Sequence, residues 1–324
     1  MAFFSLIVPV YNGSRFIDNL IRNLSALHGA VADTEFILIN DGSTDDTSER
    51  LNAFLQTAQA RALNVKLIET DNGGVSRARN IGLAAATGRY AAFMDHDDNI
   101  DAPKLAALLE QAAEIRADLL HFNADSRYMP SAKTLRRDSF LTEVPFTSYV
   151  WAYVFKRELL VRHALRFDEN MSYLEDGLFV LGYLRYADSI LASGQQVYGY
   201  TDNPQSVMRA KRTAAQNQKF LDDIGAAVRG YSKLSEDFQA VGDTAKRLRE
   251  IRDSFQFIHL VNMLKLGIGR QELFERLQAA GYDYALRDYP SRFNKRFAVK
   301  ILCMVFRSKA ALGILADSRL PARR

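Results

Sequence analysis

The feature that most restricts the fold is a local pattern repeated through the first hundred residues. Four short apolar runs of β type are each followed at once by Asp or Asn, and amphipathic stretches lie between them. Apolar runs of this length bounded by turn residues read as buried strands, and their alternation with helical periodicity implies helices packed on a mostly parallel sheet. Strands are predicted at 3–10, 35–40, 65–69 and 90–94. Phe16, Ile17, Leu20, Ile21, Leu24 and Leu27 form a helical stripe, with Ser14 expected as its N-cap. A second helix is expected after Asp41-Gly42-Ser43-Thr44-Asp45, a third from Val75 behind Asp71-Asn72-Gly73-Gly74, and a fourth near Pro103, a residue suited to a first turn.

The residues at the strand ends point to a site. The runs end in Tyr11-Asn12, Asp41, Asp71-Asn72 and Asp95-His96-Asp97-Asp98. In an open parallel sheet these residues all arrive at the carboxyl edge, where ligands bind. Taken singly, each is equally a helix cap or a turn. Asp95, Asp97 and Asp98 place three carboxylates within four residues; such a cluster repels itself unless a cation or hydrogen-bond donors compensate. Oxygen ligands of this kind suit Mg²⁺ or Mn²⁺, and because Mg²⁺ uses one or two carboxylates and completes its shell with water and phosphate, a diphosphate substrate is inferred. An Asx-rich turn is the competing explanation.

Beyond residue 118 the pattern weakens. A strand is expected at 118–123, irregular structure or a hairpin over 124–148, an amphipathic stretch at 151–160, a helix at 174–186 and a strand at 196–200. From about 206 strand signals vanish. The expected organisation is an α/β domain over 1–205 and a helical region over 206–324.

Composition sets outer limits. With 48% hydrophobic and 25% charged residues in 324, the chain is globular in type rather than disordered or collagen-like. The one cysteine, Cys303, excludes an intrachain disulfide framework and a cysteine-based zinc cluster, which suits a reducing, cytoplasmic setting. The apolar start lacks a basic leader pattern, and the uncharged runs 301–306 and 310–316 fall far short of the ~18 residues of a transmembrane helix.

Several motifs carry a specific resemblance. Pro9-Val10-Tyr11-Asn12, Asn40-Asp41-Gly42-Ser43-Thr44-Asp45, the run 72–82 from Asn72-Gly73-Gly74 through Arg77 and Arg79 to Gly82, Gly88-Arg89-Tyr90 and Met94-Asp95-His96-Asp97-Asp98 closely resemble the family 2 inverting glycosyltransferases of GT-A fold. Trp151, the run 154–160 and Tyr173-Leu174-Glu175-Asp176-Gly177 look like later motifs of the same family, so the resemblance covers about the first 200 residues. It implies an α/β GT-A domain that binds a nucleotide sugar through Pro9, Tyr11, Asp41 and Asp95. It also implies a divalent metal on Asp97 and Asp95, and Asp176 as general base with Glu175 beside it. Trp151 becomes a wall of the acceptor site. Asp98 is an additional acid whose share in the metal site stays open. Arg79, with Arg77, stands in the first turns of a helix behind a Gly-Gly loop, where a diphosphate would meet cationic side chains and the positive helix end.

The implied reaction moves one sugar with inversion, most simply from a UDP-sugar to a saccharide acceptor of a lipopolysaccharide or other surface polysaccharide. No tryptophan follows Trp151, so the Gln-x-x-Arg-Trp motif of the processive synthases is missing. A sugar-nucleotide pyrophosphorylase is the rival on chemistry, although it should carry a Gly-rich basic loop directly after the first strand. A non-catalytic membrane-associated scaffold is the rival of another class.

The net charge of +4 conceals a division. Residues 292–324 carry nine Lys and Arg against Asp317 alone, a balance of +8, and the remainder carries −4. From Phe293, apolar Phe297, Ile301, Met304 and Val305 alternate with Arg292, Arg296, Lys300 and Arg307. This pattern predicts a basic amphipathic helix suited to an anionic membrane surface, where a lipid-linked acceptor would be presented. A helix packed on the protein with its basic side in water is the alternative. No aromatic platform accompanies these charges, so nucleic acid is not the expected partner.

Overall fold

The computed structural model describes residues 2–201, 212–281 and 297–318. The chain divides into two units, Met1–Ala210 and Lys211–Arg324; the expected boundary at 205/206 falls outside the described residues.

The first unit opens with β1 (Phe4–Val10), α1 (Ile17–Ala30), β2 (Thr34–Asp41), α2 (Thr47–Leu55), α3 (Ala58–Ala62), β3 (Asn64–Thr70), α4 (Val75–Ala85) and β4 (Tyr90–Phe93). The four strands match the expected ones to within a residue at each end. Then come β5 (Asn99–Ile100), α5 (Ala102–Glu114), β6 (Leu119–His121), β7 (Lys133–Arg136), α6 (Arg137–Glu143), β8 (Tyr153–Lys156), α7 (Arg157–Arg162), α8 (Glu175–Leu184), β9 (Ser189–Ala192) and β10 (Tyr198–Gly199).

Eight strands form one sheet in the order β3-β2-β1-β4-β8-β6-β9-β7, and β10 pairs with β5 in a second. β3, β2, β1 and β4 are parallel, β8 is antiparallel to both its neighbours β4 and β6, and β9 runs parallel to β6. The carboxyl ends of β1 to β4 therefore share one edge with the amino end of β8. That register brings residues 149–152 beside the acidic turn after β4.

Both faces of the sheet are covered. Phe4, Leu6, Val8 and Val10 of β1 share a core with Leu20, Leu24 and Leu27 of α1 and Leu105, Leu108 and Leu109 of α5. On the opposite face α4 lies so close that a Cβ on Gly82 would stand 2.3 Å from Ile7 Cγ2 and 3.0 Å from Ile39 Cδ1. Residue 82 therefore fixes how near α4 comes to β1 and β2.

Several sequence-based expectations need correction. Ser14 does not cap α1: a 3₁₀ turn, Ser14–Phe16, precedes the helix, and neither start has a side-chain cap. The 124–148 stretch holds β7 and α6; β7 is an edge strand with exposed Lys133 and Thr134, so it lacks the alternation that marks a half-buried strand. The amphipathic stretch 151–160 is a 3₁₀ turn, a buried strand and a short helix in succession. β9, four residues long, has no counterpart among the expected strands.

The second unit contains α9 (Ala214–Asp237), α10 (Gly242–Lys265), α11 (Arg270–Ala279), α12 (Phe297–Val305) and α13 (Lys309–Asp317). A core of Leu221, Leu260, Met263, Leu273, Leu277, Cys303, Phe306, Leu312 and Ala316 unites them. Of the basic tail, 292–296 and 319–324 lie outside the described residues. The rest holds α12, within the helix expected from Phe293, and a further short helix, α13, which Ser308 caps with its Oγ accepting from the Ala311 N–H at 3.2 Å. Cys303 and Phe306 face inward, while Ile301, Met304 and Ile314 are exposed. Among the described residues no helix is long and apolar enough to cross a membrane.

Candidate active site

On one side of the acidic turn the exits of β1, β2 and β3 are laced together. Asn12, in the left-handed region with φ 47°, donates its N–H to Ser43 Oγ at 3.0 Å and accepts from the Thr44 N–H at 2.7 Å. The Gly13 N–H donates to Thr47 Oγ1 at 2.9 Å. Tyr11, 46% exposed, is thus held on a stiff loop, and Pro9 is buried in β1. Asp41, also buried, accepts from the N–H groups of Gly73 and Gly74 at 2.8 and 2.9 Å. Its carboxylate shapes the loop that leads into α4, and Gly42 allows the close approach of that loop: a Cβ there, at φ +65°, would meet Asn72 N at 2.5 Å. Arg77 lies along Gly73 and donates to the Asp71 carbonyl at 3.1 Å.

The acidic turn separates its members. Asp98 is 1% exposed; its carboxylate accepts from the Tyr198 hydroxyl at 2.8 Å and the Thr201 N–H at 2.7 Å. Burial pushes its pKa up to about 6. Tyr198 also accepts from the Asp95 N–H at 3.0 Å, so one hydroxyl holds the turn at both ends. The Asp95 side chain stays about one-third exposed.

The centre of the site is Arg79. Three residues before Gly82 on α4, it is buried and donates from Nη2 to Asp95 Oδ1 at 3.3 Å, and from Nη1 to Glu175 Oε1 at 3.2 Å and Asp176 Oδ1 at 2.7 Å. Its ring neighbour is Phe167, 5.4 Å from the guanidinium carbon. Leu174, left-handed at φ 66°, turns the chain so that Glu175 and Asp176 open α8. Asp176 Oδ2 accepts from the Val150 N–H at 3.2 Å. Burial pushes the carboxyl pKa of both Glu175 and Asp176 upward, against the pull of the Arg79 charge. Arg79 itself, despite a burial that favours its neutral form, is held charged by the three carboxylates. One guanidinium facing three carboxylates leaves the cluster short of positive charge.

The structure thus brings Asp95, Arg79, Glu175 and Asp176 into one cluster and places Tyr11, Asp41 and Pro9 at the neighbouring strand ends. Trp151 stacks on Tyr198 at 4.5 Å between ring centroids and on Tyr149 at 5.4 Å. Two participants lie outside the sequence-predicted set. Tyr198 sits in β10, within the strand expected at 196–200, and Tyr149 stands two residues before the single tryptophan in an uncharged stretch.

A sequence profile described as glycosyl transferase family 2 matches residues 5–171, which spans β1 through the loop before α8. The glycosyltransferase EpsJ of Bacillus subtilis is 31% identical over 246 residues, covering 70% of this chain and 69% of its own. The chain belongs to glycosyl transferase family 2. It is a transferase that uses nucleotide-sugar donors, and the pyrophosphorylase reading falls away. The poly(ribitol-phosphate) β-N-acetylglucosaminyltransferase TarS of Staphylococcus aureus is 26% identical over 203 residues, 61% of this chain and 35% of that one. A crystal structure of TarS 1–349 with UDP-GlcNAc superposes with a TM-score of 0.68 at 20% identity, covering 97% of this chain and 89% of the other. A Pyrobaculum calidifontis mannosyltransferase with GDP-Man and Mn²⁺ follows at 0.56 and 17%, covering 97% and 85%. These likenesses establish a GT-A-like fold for this family 2 chain.

Proposed function

We propose that this enzyme transfers one sugar, with inversion, from a UDP-sugar to a saccharide acceptor in the assembly of a lipopolysaccharide or other surface polysaccharide. The carrying observation is the single guanidinium of Arg79 that ties Asp95, at the end of the donor strands, to Asp176, at the start of α8. A direct displacement needs a base on the side opposite the leaving group, and a half-buried carboxylate with a raised pKa is a competent one. Asp176 is that base; Arg79 and the Val150 N–H fix its two oxygens, and Glu175 stands beside it. The UDP-bearing TarS structure supports the donor class, and the polymeric acceptor in the TarS name supports a polymer as the class of acceptor.

Asp95 and Asp97 suit a divalent ion. Asp95 meets Arg79 through Oδ1 and stays about one-third exposed, and Asp97 lies half-buried in the same turn. Among the described residues no three or more His, Cys, Asp or Glu side chains form a metal cage, so the ion would take its other ligands from water and diphosphate, as Mg²⁺ does. When bound, it neutralises charge on the departing diphosphate. Asp98, with both oxygens already bonded, is assigned to holding the turn. Tyr11 offers its ring to the base, and Asp41 orders the loop ahead of α4.

The exposed apolar residues Ile301, Met304 and Ile314, interspersed with exposed Lys300, Arg307 and Lys309, support contact with an anionic membrane surface at which a lipid-linked acceptor resides.

Calorimetry with UDP and Mn²⁺, paired with a transfer assay, tests the reading. Asp176→Asn is expected to bind UDP as the parent does and to lose transfer by at least about a hundredfold, while Asp97→Ala weakens UDP binding in the presence of Mn²⁺. A fully active Asp176→Asn variant refutes the base; unchanged affinity in Asp97→Ala refutes the metal site.

A further inference from the structure

Three aromatic rings run in a near-parallel stack from the acidic turn to the surface. Tyr198, buried, touches Asp95 and Asp98 through its hydroxyl. Trp151 follows at 4.5 Å and 14°, then Tyr149 at 5.4 Å and 12°. Trp151 gives ring surface to two neighbours, whereas Tyr149, 56% exposed, is the member with surface to spare. The peptide unit joining Tyr149 to the next residue supplies the Val150 N–H bound to Asp176, so ring and carboxylate are linked by one rigid amide.

Strand order assigns this stack to a side. Tyr11, Asp41 and the Gly73-Gly74 loop stand over β1, β2 and β3, while the stack enters through β8 on the other flank of β4. A donor nucleotide occupying the first flank leaves Tyr149 facing a molecule that approaches Asp176 from the second.

We infer that Tyr149 is a specificity-determining contact for the acceptor, its ring packing against the C–H face of a sugar whose hydroxyl is presented to Asp176. Burying an exposed aromatic face against apolar C–H groups is favourable, and an aromatic ring orders its partner at small entropic cost. The inference rests on Asp176 being the base, and it moves the acceptor wall expected at Trp151 outward by one ring.

The single tryptophan makes the stack its own reporter. The full chain is titrated with a panel of methyl glycosides and disaccharides of glucose, galactose, mannose, rhamnose and N-acetylglucosamine, and with dodecylphosphocholine as a sugar-free amphiphile, while Trp151 emission is followed. At least one sugar is expected to change the emission saturably. Tyr149→Ala and Tyr149→Leu should each weaken that sugar about tenfold, Tyr149→Phe should retain it to within about threefold, and UDP binding should be the same in all four proteins. Equal sugar affinity in Tyr149→Leu overturns the proposal, as does silence across the panel or a response to dodecylphosphocholine alone. Because the readout is binding, an active Asp176→Asn variant would remove the base without altering this result, and the two failures stay distinct.

Discussion

Arg79 carries the electrostatics of the site. Its charge opposes the burial that raises the Glu175 and Asp176 carboxyl groups, so removing it raises them further. The proposed base, Asp176, works ionised; activity is therefore expected to increase as pH rises through its pKa, and in Arg79→Gln the acidic limb of the kcat/KM profile is expected to move to higher pH. The same change leaves the buried Glu175 and the half-buried Asp176 without a cation, at a cost of about 3–5 kcal/mol measured by denaturant unfolding. An unmoved acidic limb would show that Arg79 does not govern the base. Little of this is legible in the sequence. Arg79 reads there as a helix-start cation for a diphosphate, and nothing in local spacing announces contact with residues 96 and 97 positions away. Asp98 is equally opaque: it has the same local sequence environment as Asp97, and only the hydroxyl of Tyr198 and the backbone of Thr201 separate their roles.

At the level of elements, α4 is the part whose placement the site depends on. Gly82 lets it lie against Ile7 and Ile39, and Arg79 stands one turn earlier on the same helix. Gly82→Ala forces a methyl into that contact and is expected to destabilise the protein by about 1–3 kcal/mol and lower transfer. Shortening the opposing side chain, as Gly82→Ala with Ile7→Ala, should recover part of the activity; thermal melts with the transfer assay check both, and a single variant with native stability and rate contradicts the packing argument. The donor-side strands are readable because buried parallel strands write themselves as continuous apolar runs ending in Asp or Asn. The other flank is legible only in part: the strand expected at 118–123 contains β6 and the helix expected at 174–186 contains α8, whereas β7 is a solvent-facing edge, β9 is four residues long, and the reversal of β8 leaves no trace in a hydrophobic pattern.

For the whole molecule, the basic end seen in the composition is exposed where it is described. The clustered acids belong to the first unit; the second shows Lys300, Arg307 and Lys309 among exposed apolar side chains, with Cys303, Phe306 and Leu312 occupied in its core. Truncating the tail would open that core, so the membrane contact is better tested by the combined variant Ile301→Glu, Met304→Glu, Ile314→Glu. It is expected to lose co-sedimentation with vesicles containing phosphatidylglycerol while keeping UDP affinity; equal pelleting of variant and parent excludes this surface as the membrane contact.

The antiparallel entry of β8 has a consequence for how such an enzyme diversifies. Residues 124–152 lead from the end of β6 to the start of β8, beginning and ending on hydrogen-bonded framework while β1 to β4 continue without them. On the inferred acceptor role of Tyr149, grafting that interval from a relative is expected to exchange the glycan partner while UDP affinity stays that of the parent.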